Sequence, residues 1–212
     1  MNKPAFVWPV RGLYAITDGA SSPQALADQV AAWIAGGARV VQYRDKGVDA
    51  GRRLEEAQAL RTVCRAAGVP LLINDDVALA AAIRADGVHL GRDDADVRMA
   101  RARLGSRALI GVSAYADLAR AREAVALGAD YVAFGRFFPS VTKPNAPLAP
   151  IEVLRAARQA LSVPVVAVGG ITPENAGELI AAGADLVAVI GGLAGSEPQI
   201  RAQRYAALFP AA

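Results

Sequence analysis

The sequence predicts a single α/β domain folded as a closed (β/α)8 barrel, and three observations carry that prediction. Short apolar strands alternate with helical stretches about eight times, joined by brief connections. Such alternation makes a parallel sheet buried under helices, and an eightfold count favours closing that sheet over leaving it open. The second observation is an internal echo. AVALGADYVAFG at 124–135 and LIAAGADLVAVIGG at 179–192 share one layout of helix end, Gly-Ala-Asp and strand, and IRADGVHLG at 83–91 is a looser copy. The third is that no linker or composition shift divides residues 1–212, so the chain reads as one domain with a short N-terminal extension over 1–11.

The elements follow in order. A strand over 13–18 leads to a helix over 23–35, which Asp18, Ser21 or Ser22 could cap and Gly36-Gly37 ends. Strand two covers 38–45, followed by a helix from about 51 to 67 with Gly68 as its stop. Strand three, 70–75, precedes an alanine-rich helix over 77–85. Strand four is short, 87–91, with a helix over 96–104; strand five is 108–113, with a helix over 117–127. Strand six, 130–135, opens into a long loop to Pro150 and a helix over 151–161. Strand seven runs 164–170, after which Pro173 is expected to open a helix that Gly183 stops. Strand eight covers 185–191, and Ser196 is placed to cap a last helix ending near Leu208.

Composition narrows the function classes. The chain is 54% hydrophobic and 20% charged, an ordinary globular balance. No apolar run approaches the ~20 residues that span a bilayer, and no hydrophobic signal segment follows the first four residues. A net charge of +3, scattered along the chain, argues against nucleic acid. Arginines at 52, 53, 61, 65, 98, 101, 103, 120 and 122 fall on helices, several beside glutamates, and read as solvated faces. The lone Cys64 lies in a helical pattern and reads as a small buried hydrophobe. A reducing cytoplasm is the expected setting.

Polar residues gather where a barrel places its chemistry, at the C-terminal ends of the strands. Gln42, Arg44 and Lys46 alternate onto one face of strand two, a row that begins with Val40. Two neighbouring cations need an anion. Asn74-Asp75 end strand three, Asp93-Asp94 follow strand four, and Ser113 ends strand five. Ser140, Thr142 and Lys143 lie in the loop after strand six. Arg44, Lys46 and Lys143 with Gln42 and Asn74 make an anion clamp of one bidentate donor, two point cations and two amides. Asp75 and Asp94 would repel that anion unless a hard cation such as Mg²⁺ lies between, which points to a diphosphate. Helix capping is the competing reading for Asp75, Asp76, Asp93 and Asp94; among the first two, Asp76 is the better placed to cap. Gly169-Gly170 and Gly191-Gly192, after strands seven and eight, suit a monophosphate held by backbone N–H groups. His89, the single histidine, sits in an apolar strand and reads as packed and hydrogen-bonded rather than as a base.

The motifs Leu13-Tyr14-Ala15-Ile16-Thr17-Asp18, Gln42-x-Arg44-x-Lys46, Ile73-Asn74-Asp75, and Val88-His89-Leu90-Gly91 followed by Asp94 resemble the thiamine phosphate synthase family. So do Gly111-Val112-Ser113, Gly135-x-x-Phe138-Pro139-Ser140-x-Thr142-Lys143 and Gly169-Gly170-Ile171, in the same order over about 12–193. The resemblance implies a transferase that joins a hydroxymethylpyrimidine diphosphate to a thiazole phosphate, with Mg²⁺, by a dissociative route that releases pyrophosphate. It implies that Gln42, Arg44, Lys46, Asn74, Ser113 and Lys143 hold the pyrimidine diphosphate, with Arg44, Lys46, Ser113 and Lys143 supporting the chemistry. Asp75 and Asp94 would hold Mg²⁺, and Ser140, Thr142, Gly170, Ile190 and Gly191 the thiazole phosphate. Four positions depart from the family pattern: Arg92 for its usual glutamine, Tyr115 for histidine, Ser140 for threonine and Gly191 for serine. Rival readings are a thiazole tautomerase, a phosphosugar aldolase using Lys46 or Lys143 as a Schiff base, and a non-catalytic ligand-binding barrel. Oligomeric state is left open, a homo-oligomer included.

Overall fold

The computed structural model describes residues 8, 11–19, 22–92, 96–139 and 147–209. Eight strands, β1 (Gly12–Ile16), β2 (Ala38–Tyr43), β3 (Leu71–Asn74), β4 (Gly87–Leu90), β5 (Leu109–Tyr115), β6 (Tyr131–Gly135), β7 (Val165–Val168) and β8 (Leu186–Val189), pair in sequence order. Parallel pairing of β1 with β8 closes the barrel. The helices between them are α1 (Pro23–Ala35), α2 (Ala50–Ala67), α3 (Val77–Ile83), α4 (Val97–Leu104), α5 (Leu118–Ala126), α6 (Glu152–Ala160), α7 (Ala176–Ala181) and α8 (Pro198–Ala206).

Alternation along each strand builds two cores. Side chains such as Leu13, Val41, Ile73, Val88 and Val132 point outward under the helices. Tyr14, Ile16, Val40, Leu72, Tyr131, Ala133, Val166, Leu186 and Ala188 fill the barrel interior. Trp8 packs on Tyr131 with ring centroids 5.4 Å apart and closes the N-terminal end of the barrel. Cys64 is fully buried on the inner face of α2, and burial pushes its thiol up to about 12.

The caps follow the short polar residues. Ser22, Asp49, Asp76, Asp96 and Asp117 each accept a backbone N–H at the head of α1, α2, α3, α4 and α5. Two expectations fail. Pro173 does not open a helix: Asn175 folds back to accept from the Thr172 N–H at 2.8 Å, which delays α7 to Ala176. Ser196 does not cap α8; Glu197, in the left-handed region, precedes Pro198 and makes no side-chain cap. The helix arginines are also more than solvated faces. Arg53 pairs with Asp76, Arg61 with Asp86 and Arg101 with Asp130, each tying a helix to a neighbouring strand or loop.

Candidate active site

Gln42 occupies the interior face of β2 and is 3% exposed. Beyond Tyr43 the chain keeps alternating, and Thr17 secures it: its hydroxyl accepts from the Arg44 N–H at 2.9 Å and donates to the Arg44 carbonyl at 3.0 Å. Arg44 therefore lines the mouth of the barrel, its guanidinium 2.8 Å from Asp18. Lys46 donates to Asp75 at 3.0 Å.

The outward residues of the same segment explain its rigidity. Tyr43 donates to Glu56 at 2.7 Å, and Arg52 bridges Glu56 and Asp45. Glu56 is completely buried, so the solvated-face reading of Arg52 and Glu56 is corrected here. Burial and the neighbouring Glu56 push the Tyr43 phenol far above its usual range. Burial alone would raise Asp45; the Gly47 N–H and Arg52 outweigh it and hold that carboxyl below the usual range.

At the end of β3, Asp76 takes the capping role by accepting from Leu79 N–H at 2.8 Å. Asp75 does not cap. Its backbone is left-handed, φ 62°, a conformation aspartate tolerates better than most residues, and its N–H donates to the His89 carbonyl at 2.8 Å. The carboxylate meets Lys46 and the side-chain amide of Asn74.

Inside the mouth a hydrogen-bonded chain runs across the strands. Ser113 Oγ lies 2.9 Å from His89 Nε2, and His89 Nδ1 lies 2.8 Å from the Tyr131 hydroxyl. Tyr131 meets Tyr14 at 2.9 Å, Tyr14 meets Gln42 at 2.8 Å, and Gln42 bonds Asn74. His89 is thus a packed, hydrogen-bonded residue of the kind its strand context suggests. Gly111 makes room for the crossing, because any Cβ there would collide with the Tyr131 ring. Burial pushes both the Tyr14 and Tyr131 phenols well above the ordinary tyrosine range, so both stay protonated. Arg120 fixes the Ser113 end by donating to the carbonyls of Ser113, at 2.9 Å, and Gly91, at 3.0 Å.

The opposite wall is made of backbone. Gly169 and Gly170 follow β7 with φ of 104° and 67°, and a Cβ on Gly170 would lie 2.5 Å from the Pro139 carbonyl oxygen. After β8, Ile190 precedes a 3-10 turn over Gly191–Leu193 whose first bond is Leu193 N–H to the Ile190 carbonyl. The amides of Gly191 and Gly192 therefore head that turn without a bond inside it. The cavity between the two walls has a volume of about 400 Å³.

Of the residues expected from sequence, Gln42, Arg44, Asn74, Ser113, Gly170, Ile190 and Gly191 line this one cavity. Lys46 and Asp75 stand beside Asn74 as an ion pair, outside the cavity wall. Asp94, Ser140, Thr142 and Lys143 lie outside the described residues, as does Asp93. Two departures from the family pattern prove to be one feature: the Arg92 guanidinium lies 4.6 Å from the centre of the Tyr115 ring, and Tyr115 lines the cavity. Among the described residues no three carboxylate, imidazole or thiol groups gather to hold a metal. The solvated-face reading of Arg120 is corrected like that of Glu56, since Arg120 is tied to two strand-end carbonyls, and the polar roles of Tyr14, Tyr131 and Thr17 go unread in the sequence. Only Gly111, an isolated glycine inside a strand, signalled that something crosses there.

The chain matches the family model described as thiamine monophosphate synthase over residues 13–193. It is 54% identical to a thiamine-phosphate synthase of Azoarcus sp. (strain BH72) over 201 residues, 94% of this chain and 98% of that one. A thiamine-phosphate synthase of Nitrosococcus oceani is 55% identical over 87% of this chain and 85% of its own. Among solved structures, thiamine phosphate pyrophosphorylase from Pyrococcus furiosus superposes with a TM-score of 0.83 at 31% identity, covering 93% of this chain and 94% of that one.

Proposed function

The chain belongs to the thiamine monophosphate synthase family, and from that premise we infer that it carries out the thiamine-phosphate synthase reaction. It is a transferase. The substrates we assign are 4-amino-2-methyl-5-hydroxymethylpyrimidine diphosphate and a hydroxyethylthiazole phosphate. The bond between the pyrimidine methylene carbon and the diphosphate oxygen breaks, and its electron pair leaves with the diphosphate. The thiazole nitrogen then supplies the pair for the new C–N bond, giving thiamine phosphate and pyrophosphate.

The observation that carries this reading is the segment after β2, which sets Arg44 against Asp18 at the mouth and Lys46 against Asp75. A guanidinium and an ammonium suit a diphosphate, and a carboxylate among them suits its counter-ion. Arg44 and Lys46, with Lys143, stabilise charge that grows on the leaving group, an electrostatic contribution. Gln42, Asn74 and Ser113 orient the pyrimidine diphosphate. No strong base is required, in keeping with phenols held protonated and amides that cannot take a proton. On the opposite wall Gly170, Ile190 and Gly191 hold the thiazole phosphate through backbone N–H groups, and the hydroxyls of Ser140 and Thr142 are assigned to the same phosphate.

Magnesium fits the donor set. Asp75 is released from capping by Asp76 and presents its carboxylate to Lys46. Asp75 and Asp94 would hold the ion, which when bound neutralises diphosphate charge. The protein is read as one catalytic domain of the cytoplasm, a setting that the lone buried thiol suits.

Full-length protein, both substrates and Mg²⁺ in a coupled pyrophosphate assay test the reading. Pyrophosphate should appear only when both substrates are present. Its absence with both overturns the reading, and isomerisation of the thiazole phosphate alone would make the chain a tautomerase.

A further inference from the structure

Seven side chains form one unbroken hydrogen-bonded chain across the barrel, from Ser113 through His89, Tyr131, Tyr14, Gln42 and Asn74 to Asp75. Counting protons fixes the direction of every link as far as His89 Nδ1, and of the last link for a neutral imidazole. A carboxylate only accepts, so Asn74 turns its NH2 group to Asp75 and its carbonyl oxygen to Gln42. Gln42 then donates through Nε2, which leaves its Oε1 to accept from Tyr14. A phenol has one proton, and that of Tyr14 is committed to Gln42, so Tyr14 accepts from Tyr131. The Tyr131 proton is committed in turn, so Tyr131 accepts from His89 Nδ1–H. A neutral imidazole carrying its proton on Nδ1 is an acceptor at Nε2, and the Ser113 hydroxyl donates into it.

We propose that this relay, anchored on Asp75, holds His89 in the Nδ1–H tautomer, turns the Ser113 proton inward, and so makes Ser113 a hydrogen-bond acceptor that selects an amino-bearing pyrimidine over an oxo-bearing one. His89 is then a positioning residue that acts through Ser113. The middle of the relay is buried: Tyr131 is 0% exposed, Tyr14 1% and Gln42 3%, so water does not reach the links from Gln42 to His89 Nδ1. Reversing one would set two donors or two acceptors against each other, which leaves a buried polar group unsatisfied. Ser113 lines the cavity with lone pairs to offer. A ligand amine satisfies them, whereas a ligand carbonyl oxygen would face another oxygen. A divalent ion on Asp75 leaves the direction unchanged, since the carboxylate remains an acceptor. Only the pyrimidine part of the proposal rests on the functional reading above; the tautomer rests on the hydrogen bonds and a neutral imidazole.

Because His89 is the only histidine, ¹⁵N-labelled full-length protein gives a single imidazole spectrum. Without ligand, Nδ1 should carry the proton and Nε2 should be bare. A proton on Nε2, alone or together with one on Nδ1, overturns the relay. Tyr131→Phe keeps the ring that packs on Trp8 but removes the acceptor of Nδ1–H, so the Nε2–H form should appear. An imidazole spectrum that does not change in this variant also overturns the relay. Calorimetric titration with the 4-amino and 4-oxo pyrimidine diphosphates tests selection. The wild type should prefer the amino form by about tenfold or more, and Ser113→Ala should bring the ratio towards one. Equal affinities in the wild type overturn the selectivity. Failure of both diphosphates to bind overturns the functional reading and the selectivity together, while the imidazole spectrum still decides the tautomer.

Discussion

The two walls of the cavity are built from opposite materials. On the side of β2 to β5, the groups that line the cavity are side chains held by other side chains: Arg44 by Asp18, Asn74 by Gln42, Ser113 by His89, with the Lys46–Asp75 pair just outside. On the side of β7 and β8 the wall is glycine backbone, and neutral groups bond to it: Asn175 donates to the Gly170 carbonyl and Tyr205 to that of Ile171. The first wall can tune charge and donor polarity, which suits the end of the substrate where a bond breaks. The second can only offer fixed amides at close range, which suits a phosphate that is held and does not react. A single substitution should therefore act through chemistry on the first wall and through space on the second.

The sharpest way to break this contrast is Asp75→Asn. It preserves shape while removing the charge that faces Lys46, and kcat should fall about 10²–10³-fold, as for other lost electrostatic partners. Circular dichroism and melting should change little; a variant with wild-type turnover at limiting Mg²⁺ would mean that Asp75 is structural. Next comes Gly170→Ala. The added methyl meets the backbone of Pro139 and Phe138 in a left-handed conformation, so we expect a loss of about 1–3 kcal/mol in stability. Thiazole phosphate affinity should fall with it, and pyrimidine diphosphate affinity should hold; equal loss of both in titrations would deny that the walls are separate.

Tyr43→Phe probes the support behind the first wall without touching the cavity. It removes a hydrogen bond to the buried Glu56 carboxylate, worth about 1.5–3 kcal/mol, and thermal unfolding should shift by several degrees, since about 2–4 °C accompanies each kcal/mol at this size. An unchanged melting temperature would show that Arg52 alone suffices for Glu56. Gly191→Ser should do least. Gly191 is not left-handed and no heavy atom lies within 4 Å of an added Cβ, so affinity for the thiazole phosphate should stay within about twofold, inside the roughly ±0.5 kcal/mol of neutral surface changes. A tenfold drop would show that the side chain, rather than the amide, occupies the phosphate's place.

The same division explains which features are legible in the amino-acid sequence. Eight apolar runs between capped helices announce a buried parallel sheet, because both patterns are local. The clamp residues 42, 44, 46, 74 and 75 are legible for the same reason: polar groups at the end of an apolar strand have no packing role. Tyr14 and Tyr131 are not legible. In an apolar strand a tyrosine looks like core, and only the registers that align His89 with Gly111 and Gly111 with Tyr131 bring their polar ends together. Glu56 and Arg52 mislead because i,i+4 charge pairs usually face water, and nothing local reveals that Tyr43 stands over them. The delayed start of α7 depends on Asn175 turning back to Thr172, a choice that Pro173 does not announce.

The buried Cys64 makes the chain a convenient host for site-directed labelling. With its thiol at about 12, fewer than roughly one in 10³ copies is ionised near pH 8, and the thiolate is the reactive form. Val48, wholly exposed two residues beyond Lys46, offers a place for an introduced cysteine. A fluorophore or spin probe attached there would report movement of the loop after β2 against a silent background, with no native thiol to remove first.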